Sequence, residues 1–159
     1  MKNAAVPSTI IFLTASTPVS DGEKKPAASN LTSTTPNTTM AKEVTTKKLL
    51  EEIIEGIRNR KGERIVQIDL RKIKEAPVEY MIIAQGNSNT QVAAIAAEVD
   101  DHVRTVTHVH PLSHAGEEAA EWIALDYGSI FVHIMQREPR AYYDLEHLWA
   151  DGKITEIED

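Results

Sequence analysis

Residues 122–135, Trp-Ile-Ala-Leu-Asp-Tyr-Gly-Ser-Ile-Phe-Val-His-Ile-Met, set two apolar runs on either side of Asp126-Tyr127-Gly128-Ser129. Apolar runs flanking a Gly-containing turn cluster predict a β-hairpin. With Gly128-Ser129 as the loop, Tyr127 pairs with Ile130, Leu125 with Val132 and Ile123 with Ile134. A four-residue loop, Asp126 to Ser129, shifts the register but leaves each residue on its face, because strand side chains alternate with period two. One face then holds Ile123, Leu125, Tyr127, Ile130, Val132 and Ile134, which reads as core. The other holds Trp122, Ala124, Asp126, Phe131, His133 and Met135. A solvent face would be polar, and this one carries a tryptophan, a phenylalanine and a methionine. Something has to cover it: a partner, a second copy of the chain, or the chain's own last helix. The reading favours a partner, with a homodimer through the same face as a further alternative.

The chain has 159 residues and a formal charge of −7, enough length for one domain with a proper core. Residues 1–39 carry three lysines against one aspartate and one glutamate, so the remainder holds the whole negative charge and one unit more. Such an acidic domain is poorly suited to gripping phosphate backbones, where Lys and Arg displace counterions. A protein partner, and a basic one, fits better. The chain has no cysteine, which excludes a disulfide framework and thiolate chemistry and suits a reducing cytoplasm.

Residues 1–39 are dominated by Ser, Thr, Pro, Asn and Ala and show no sustained apolar period. They read either as a disordered leader or as an extension upstream of a start at Met40. Ile10–Leu13 falls short of the roughly 7–15 apolar residues of a secretory core, and nothing approaches the ~20 of a membrane span.

From Val44 the pattern is regular. Thr45 or Thr46 caps a helix with Leu49, Leu50, Ile53, Ile54 and Ile57 on one stripe, closed by Gly62. Arg64–Leu70 and Glu79–Gln85 are strands, joined too tightly for a parallel crossover and therefore antiparallel. Ser88 or Asn89 caps a second helix carrying Val92, Ile95, Ala96, Val99 and Val103. Val109–Ser113 adds a short strand before the hairpin. Pro139 opens a last helix whose apolar side is Tyr142, Leu145, Leu148 and Trp149, Gly152 stops it, and 152–159 is an acidic tail. The expected architecture is an α/β (α+β mixed) domain over 44–151, a mixed sheet with helices packed on it, in the order α-β-β-α-β-β-α.

A catalytic site is hard to assemble from these parts. The Gly86-Asn87-Ser88 turn leads from strand to helix and invites comparison with phosphate-binding turns. A nucleotidyltransferase would add two carboxylates two positions apart on a strand, to clamp metal and phosphates. No Asp-x-Asp or Asp-x-Glu stands in any predicted strand, and adjacent Asp100 and Asp101 diverge by about 100° on a helix. His108, His110 and His114 have metal-like spacing, but Pro111 interrupts them and no cysteine completes a tetrahedral set. The expectation is no enzyme, no metal and no cofactor; a nucleotide-binding or nucleotidyltransferase-type enzyme using the Gly86–Ser88 turn is the alternative.

Gly86-Asn87-Ser88 with Gln91-Val92, then Trp122-Ile123, Asp126-Tyr127-Gly128 and Val132-His133, then Arg140 with Tyr143 to Trp149, together resemble the Iojap-like ribosomal silencing factors over about residues 44–151. The resemblance implies a nucleotidyltransferase-like fold without its catalytic acids. It further implies binding to the large ribosomal subunit through universal protein L-fourteen, which blocks joining of the small subunit and represses translation when nutrients are scarce. By resemblance Trp122, Asp126, Tyr127 and His133 match the hairpin motif that meets that protein. From the hairpin's outer face, Phe131 and Met135 join them as partner-binding residues. Ala115-Gly116 stands where many members have Glu-Gly, and Thr90 where many carry a basic residue.

Overall fold

The computed structural model describes residues 44–158; the expected leader lies outside them. Local chemistry places the first elements. Helix α1 (Thr46–Asn59) starts where the Thr45 hydroxyl accepts from the Lys48 amide at 3.2 Å. Strands β1 (Glu63–Asp69) and β2 (Tyr80–Gly86) are antiparallel neighbours, as their short connection requires. Helix α2 (Asn89–Thr107) is capped by Ser88, whose Oγ accepts from Gln91 N at 3.0 Å, and it closes on His108 in the left-handed conformation at φ 59°.

The short strand β3 (Ser113–Ala115) precedes β4 (Trp122–Asp126) and β5 (Ile130–Gln136). The hairpin adopts the register of the Gly128-Ser129 loop: Ile123 opposite Ile134, Leu125 opposite Val132, and Tyr127 N donating to Ile130 O at 2.9 Å. Gly128 takes φ 83°, which a glycine adopts without strain. The sheet order is β3-β4-β5-β2-β1-β6, mixed, with β2 and β5 parallel. The α2 crossover thus links parallel neighbours through the β3–β4 excursion.

Three expectations are corrected. The last helix is two short ones, α3 (Arg137–Tyr143) and α4 (Leu145–Leu148), broken at Asp144 with φ 43°. Aspartate tolerates that conformation, and its carboxylate then caps α4 by accepting from His147 N at 3.4 Å. The break turns Tyr142 and Leu148 outward, 80% and 65% exposed, while Leu145 stays buried. The acidic tail is also not free. Lys153–Ile157 forms β6, antiparallel to β1, with Val66 opposite Glu156 and Ile68 opposite Ile154. Its backbone satisfies the β1 edge, a stabilisation that charged side chains conceal.

The third correction concerns the hairpin's outer face. Two cores flank the sheet. The first joins Ile53, Ile57, Ile95, Val99, Ile123, Leu125, Tyr127 and Val132 beneath α1 and α2. The second joins Val66, Ile68, Ile83, Trp122, Phe131, Met135 and Leu145 on the other side, with Ile73, Ala76, Tyr143 and Trp149 packed on it. Trp122 is 4% exposed and Phe131 6%. The expected exposed ribbon is the floor of an intramolecular core. The physical reason is the position of β5, inserted between β4 and β2, so that both of its faces need a covering layer. No helix among the described residues is long and apolar enough to cross a membrane.

The two covering helices on the first face meet closely. A Cβ built on Gly56 of α1 would lie 2.9 Å from Val99 Cα on α2, a backbone atom that cannot swing aside. Helix propensity alone predicts that Gly56→Ala stabilises by about 1 kcal/mol; the contact predicts a net loss of about 1–3 kcal/mol, as for overpacking. Urea unfolding of the variant decides between them, and a gain in midpoint would refute the close approach.

Candidate functional site

The six residues expected to meet a partner separate into two groups. Trp122, Phe131, His133 and Met135 share the second core. Tyr127 is in the first core, on the opposite side of the sheet, as face alternation requires, and it does not reach outward at the turn. Asp126 is half-buried at the hairpin end, where its Oδ1 accepts from Gly128 N at 2.7 Å and its carbonyl accepts from Leu112 N at 2.6 Å. It builds the turn and ties it to the segment before β3.

At the centre of the second face, the Trp122 indole Nε1 donates to His133 Nδ1 at 3.1 Å. That bond assigns the ring's hydrogen to Nε2, which is buried and finds no partner among the described residues. Burial pushes the His133 pKa down to about 4, so the ring is neutral at ordinary pH and works as a packed acceptor. Phe131 stands edge-on to it with centroids 6.3 Å apart. Above Trp122 lies Tyr143, centroids 4.9 Å apart, and above that Tyr142, again at 4.9 Å and edge-to-face. Trp122, Tyr143 and Tyr142 therefore form an aromatic stack running from the sheet to solvent. Its outer end, Tyr142, is exposed; on the following turn of chain Leu148 is exposed and Trp149 half-buried.

The cover is pinned as well as packed. Arg140 of α3 is buried and donates from Nε and Nη2 to Glu146 Oε1 at 2.8 and 2.6 Å. Its Nη1 donates at 2.8 Å to the carbonyl of Arg64, at the irregular start of β1 where φ is 49°. One guanidinium thus bridges α3, α4 and β1, with its donors matched to fixed acceptors. The sequence singles out Arg140 only through the family motif; no spacing rule would reveal this clamp.

The Gly86-Asn87-Ser88 turn is internally satisfied. Asn87 N donates to Gln91 Oε1 at 2.8 Å, Gln91 N to Ser88 Oγ, Thr90 N to Asn89 Oδ1 at 2.9 Å, and Val92 N to Ser88 O at 2.9 Å. A phosphate would have to displace these caps. Gly86 is needed for packing, since a Cβ there would meet Val92 Cγ2 at 2.8 Å. His108 caps α2 and His114 pairs with Glu117 at 2.6 Å. Among the described residues, no group of three or more His, Cys, Asp or Glu is placed to hold a metal.

Residues 43–159 match the family model described as ribosomal silencing factor during starvation. A protein from Halalkalibacterium halodurans named ribosomal silencing factor RsfS is 32% identical over 111 residues, covering 70% of this chain and 93% of that one. One of the same name from Haemophilus influenzae is 37% identical over 102 residues, covering 64% and 98%. The crystal structure of a Chromobacterium violaceum protein superposes with TM-score 0.64 at 31% identity, covering 72% of this chain and 94% of that one.

The buried imidazole has a consequence for acid stability. In the unfolded chain it titrates near 6.5, and in the folded chain near 4. Above pH 6.5 the difference contributes nothing. As pH falls from 6.5 towards 4 the unfolded state binds a proton that the native state refuses, so stability declines by up to about 3 kcal/mol. Glu52 and Asp69, held below the usual carboxylate range by hydrogen bonds from Lys48 and Arg71, lose stability at low pH in any variant that keeps them. His133→Asn, which keeps an acceptor for the indole, therefore shows a shallower decline than wild type between pH 6.5 and 4. Parallel denaturation curves for the two proteins would contradict a neutral buried ring.

Proposed function

Because the chain belongs to the family of ribosomal silencing factors during starvation, we propose that it binds the large ribosomal subunit through universal protein L-fourteen and blocks joining of the small subunit by occupying its space. The observation that carries this reading is the family match across residues 43–159, which spans all the described elements. The relatives' names describe silencing, and steric exclusion requires no chemistry. Among the described strands no two carboxylates stand two positions apart, which, together with the self-capped Gly86–Ser88 turn, favours this over a nucleotidyltransferase.

The hairpin residues enter this function from beneath the surface. Trp122, Phe131, His133 and Met135 hold the α3–α4 cover in place, and Tyr142, Leu148 and half-buried Trp149 present the apolar area that a partner covers. Asp126 shapes the hairpin turn at its border. Protein interfaces bury about 800 Å² per partner and concentrate their energy in a few aromatic anchors. Tyr142 is such an anchor by type and exposure. The acidity of the domain suits a basic ribosomal protein and accelerates encounter at low salt.

Sucrose-gradient profiles of ribosomal particles supplemented with the purified protein test the reading: free subunits accumulate at the expense of joined ones. Tyr142→Ala, at an exposed position, leaves the fold intact and lowers retention on large subunits by about 10-fold, as for an anchor worth more than 1 kcal/mol. Unaltered subunit joining at saturating protein would remove the proposed function, and undiminished retention of the variant would move the contact off this surface.

A further inference from the structure

The sheet face that carries the second core is covered only in part. Helix α3 packs on β5 and β2. Beyond it, towards β1 and β6, a cleft of about 760 Å³ stays open, a size ordinary for ligand sites. Val66 of β1 and Ile154 of β6 are in its lining, and Ile154 is 41% exposed. Alternation along β2 puts Gln85 on this face with Met81 and Ile83, beside Met135 of β5. Gln85 borders the cleft and is only 5% exposed. Its side-chain amide has no hydrogen-bond partner among the described residues, yet neither amide atom is sealed off, unlike Asp100 Oδ1, the Tyr127 hydroxyl and His133 Nε2. A nearly buried side chain thus leaves both its oxygen and its nitrogen open to the cleft, where buried polar groups are ordinarily bonded.

The charges around the cleft sort by position. Arg140 is committed to Glu146 and to the Arg64 carbonyl, and Asp144 caps α4. Arg137 on α3 and the Arg64 side chain at the start of β1 are exposed and meet no partner among the described residues, and the same holds for the Glu156 and Glu158 carboxylates in and just after β6. One rim is basic and the other acidic. We propose that the cleft binds an extended peptide segment of a protein partner, its backbone on Gln85 and its side chains on the two rims. A side-chain amide offers an acceptor and donors side by side. One residue of an extended chain presents its own N–H and C=O on one edge, as in a hydrogen-bonded antiparallel pair, and so satisfies both. Its neighbours' side chains then point alternately to either side, an acidic one to Arg64 and Arg137 and a basic one to Glu156 and Glu158. A lone anion fits less well, because Asp144, Glu146, Glu156 and Glu158 outnumber Arg64, Arg137 and Arg140 in the lining. The inference does not depend on the ribosomal role proposed above.

The blocked peptide acetyl-Ala-Glu-Lys-Ala-amide, titrated into the full chain, tests it by NMR. The Gln85 side-chain amide and the backbone amides of Arg64 and Glu156 shift saturably, and exchange of the Gln85 amide hydrogens slows. Gln85→Met keeps the length of the side chain and loses the amide. Since that amide makes no bond within the protein, the melting temperature stays or rises, while affinity for the peptide falls about 10-fold, as for one lost hydrogen-bonded group. Arg137→Ala and Glu156→Ala, at exposed positions, each weaken binding. Absence of any shift at millimolar peptide, or equal binding by Gln85→Met, overturns the proposal. So does the same set of shifts with inorganic phosphate alone, which would make this an anion site. A lowered melting temperature in Gln85→Met would assign the amide to the fold and likewise overturn it.

Discussion

The constraint on which the rest of the structure depends is the double-sided apolar character of the β4–β5 hairpin. Alternation of side chains sends Ile123, Leu125, Val132 and Ile134 to one face and Trp122, Phe131 and Met135 to the other. Neither set can be left in water, so the sheet needs two layers. Helices α1 and α2 supply one. The second is thinner: the segment after β1, with Ile73 and Ala76, and the broken pair α3–α4, with Tyr143, Leu145 and Trp149. Because its elements are short, side-chain bonds secure it. The Arg140 bridge ties α3 to Glu146 and to the Arg64 carbonyl, and the Trp122–His133 bond fixes the indole on which Tyr143 packs.

In the function proposed above, the buried hairpin residues act without touching the partner. The bonded pair Trp122 and His133 lies beneath Tyr143, on which the exposed Tyr142 packs. A change in the core there would be felt at the surface through packing, since protein interiors transmit strain and do not flow. A protein that acts by occupying space, as proposed above, needs a rigid, correctly shaped surface above all.

Much of the fold was legible because its signals are local. Hydroxyl caps mark the helix starts near Thr45 and Ser88, a 3.6 period exposes the stripes of α1 and α2, and turn chemistry at Gly128 marks the hairpin and its two faces, with the register left to the structure. The failures came where the deciding interaction is distant in sequence. Nothing within β5 says that β2 will pair alongside it, so its apolar second face reads as an interface although it is core. Lys153–Ile157 shows only charges and a weak alternation; the bonds that make it a strand come from β1. The break at Asp144 had a usable signal, a carboxylate three residues before a helical amide, masked by the continuous apolar spacing around it.

The account stands on Trp122 being interior to the monomer, its indole hydrogen held by His133. Hydrogen exchange of the indole N–H groups, followed by NMR on the free protein, measures that directly. Trp122 should exchange only through global opening, slowed in proportion to the unfolding equilibrium, while the half-buried Trp149 exchanges far faster. Exchange of Trp122 as rapid as that of Trp149 under native conditions would show the face to be open and contradict the account.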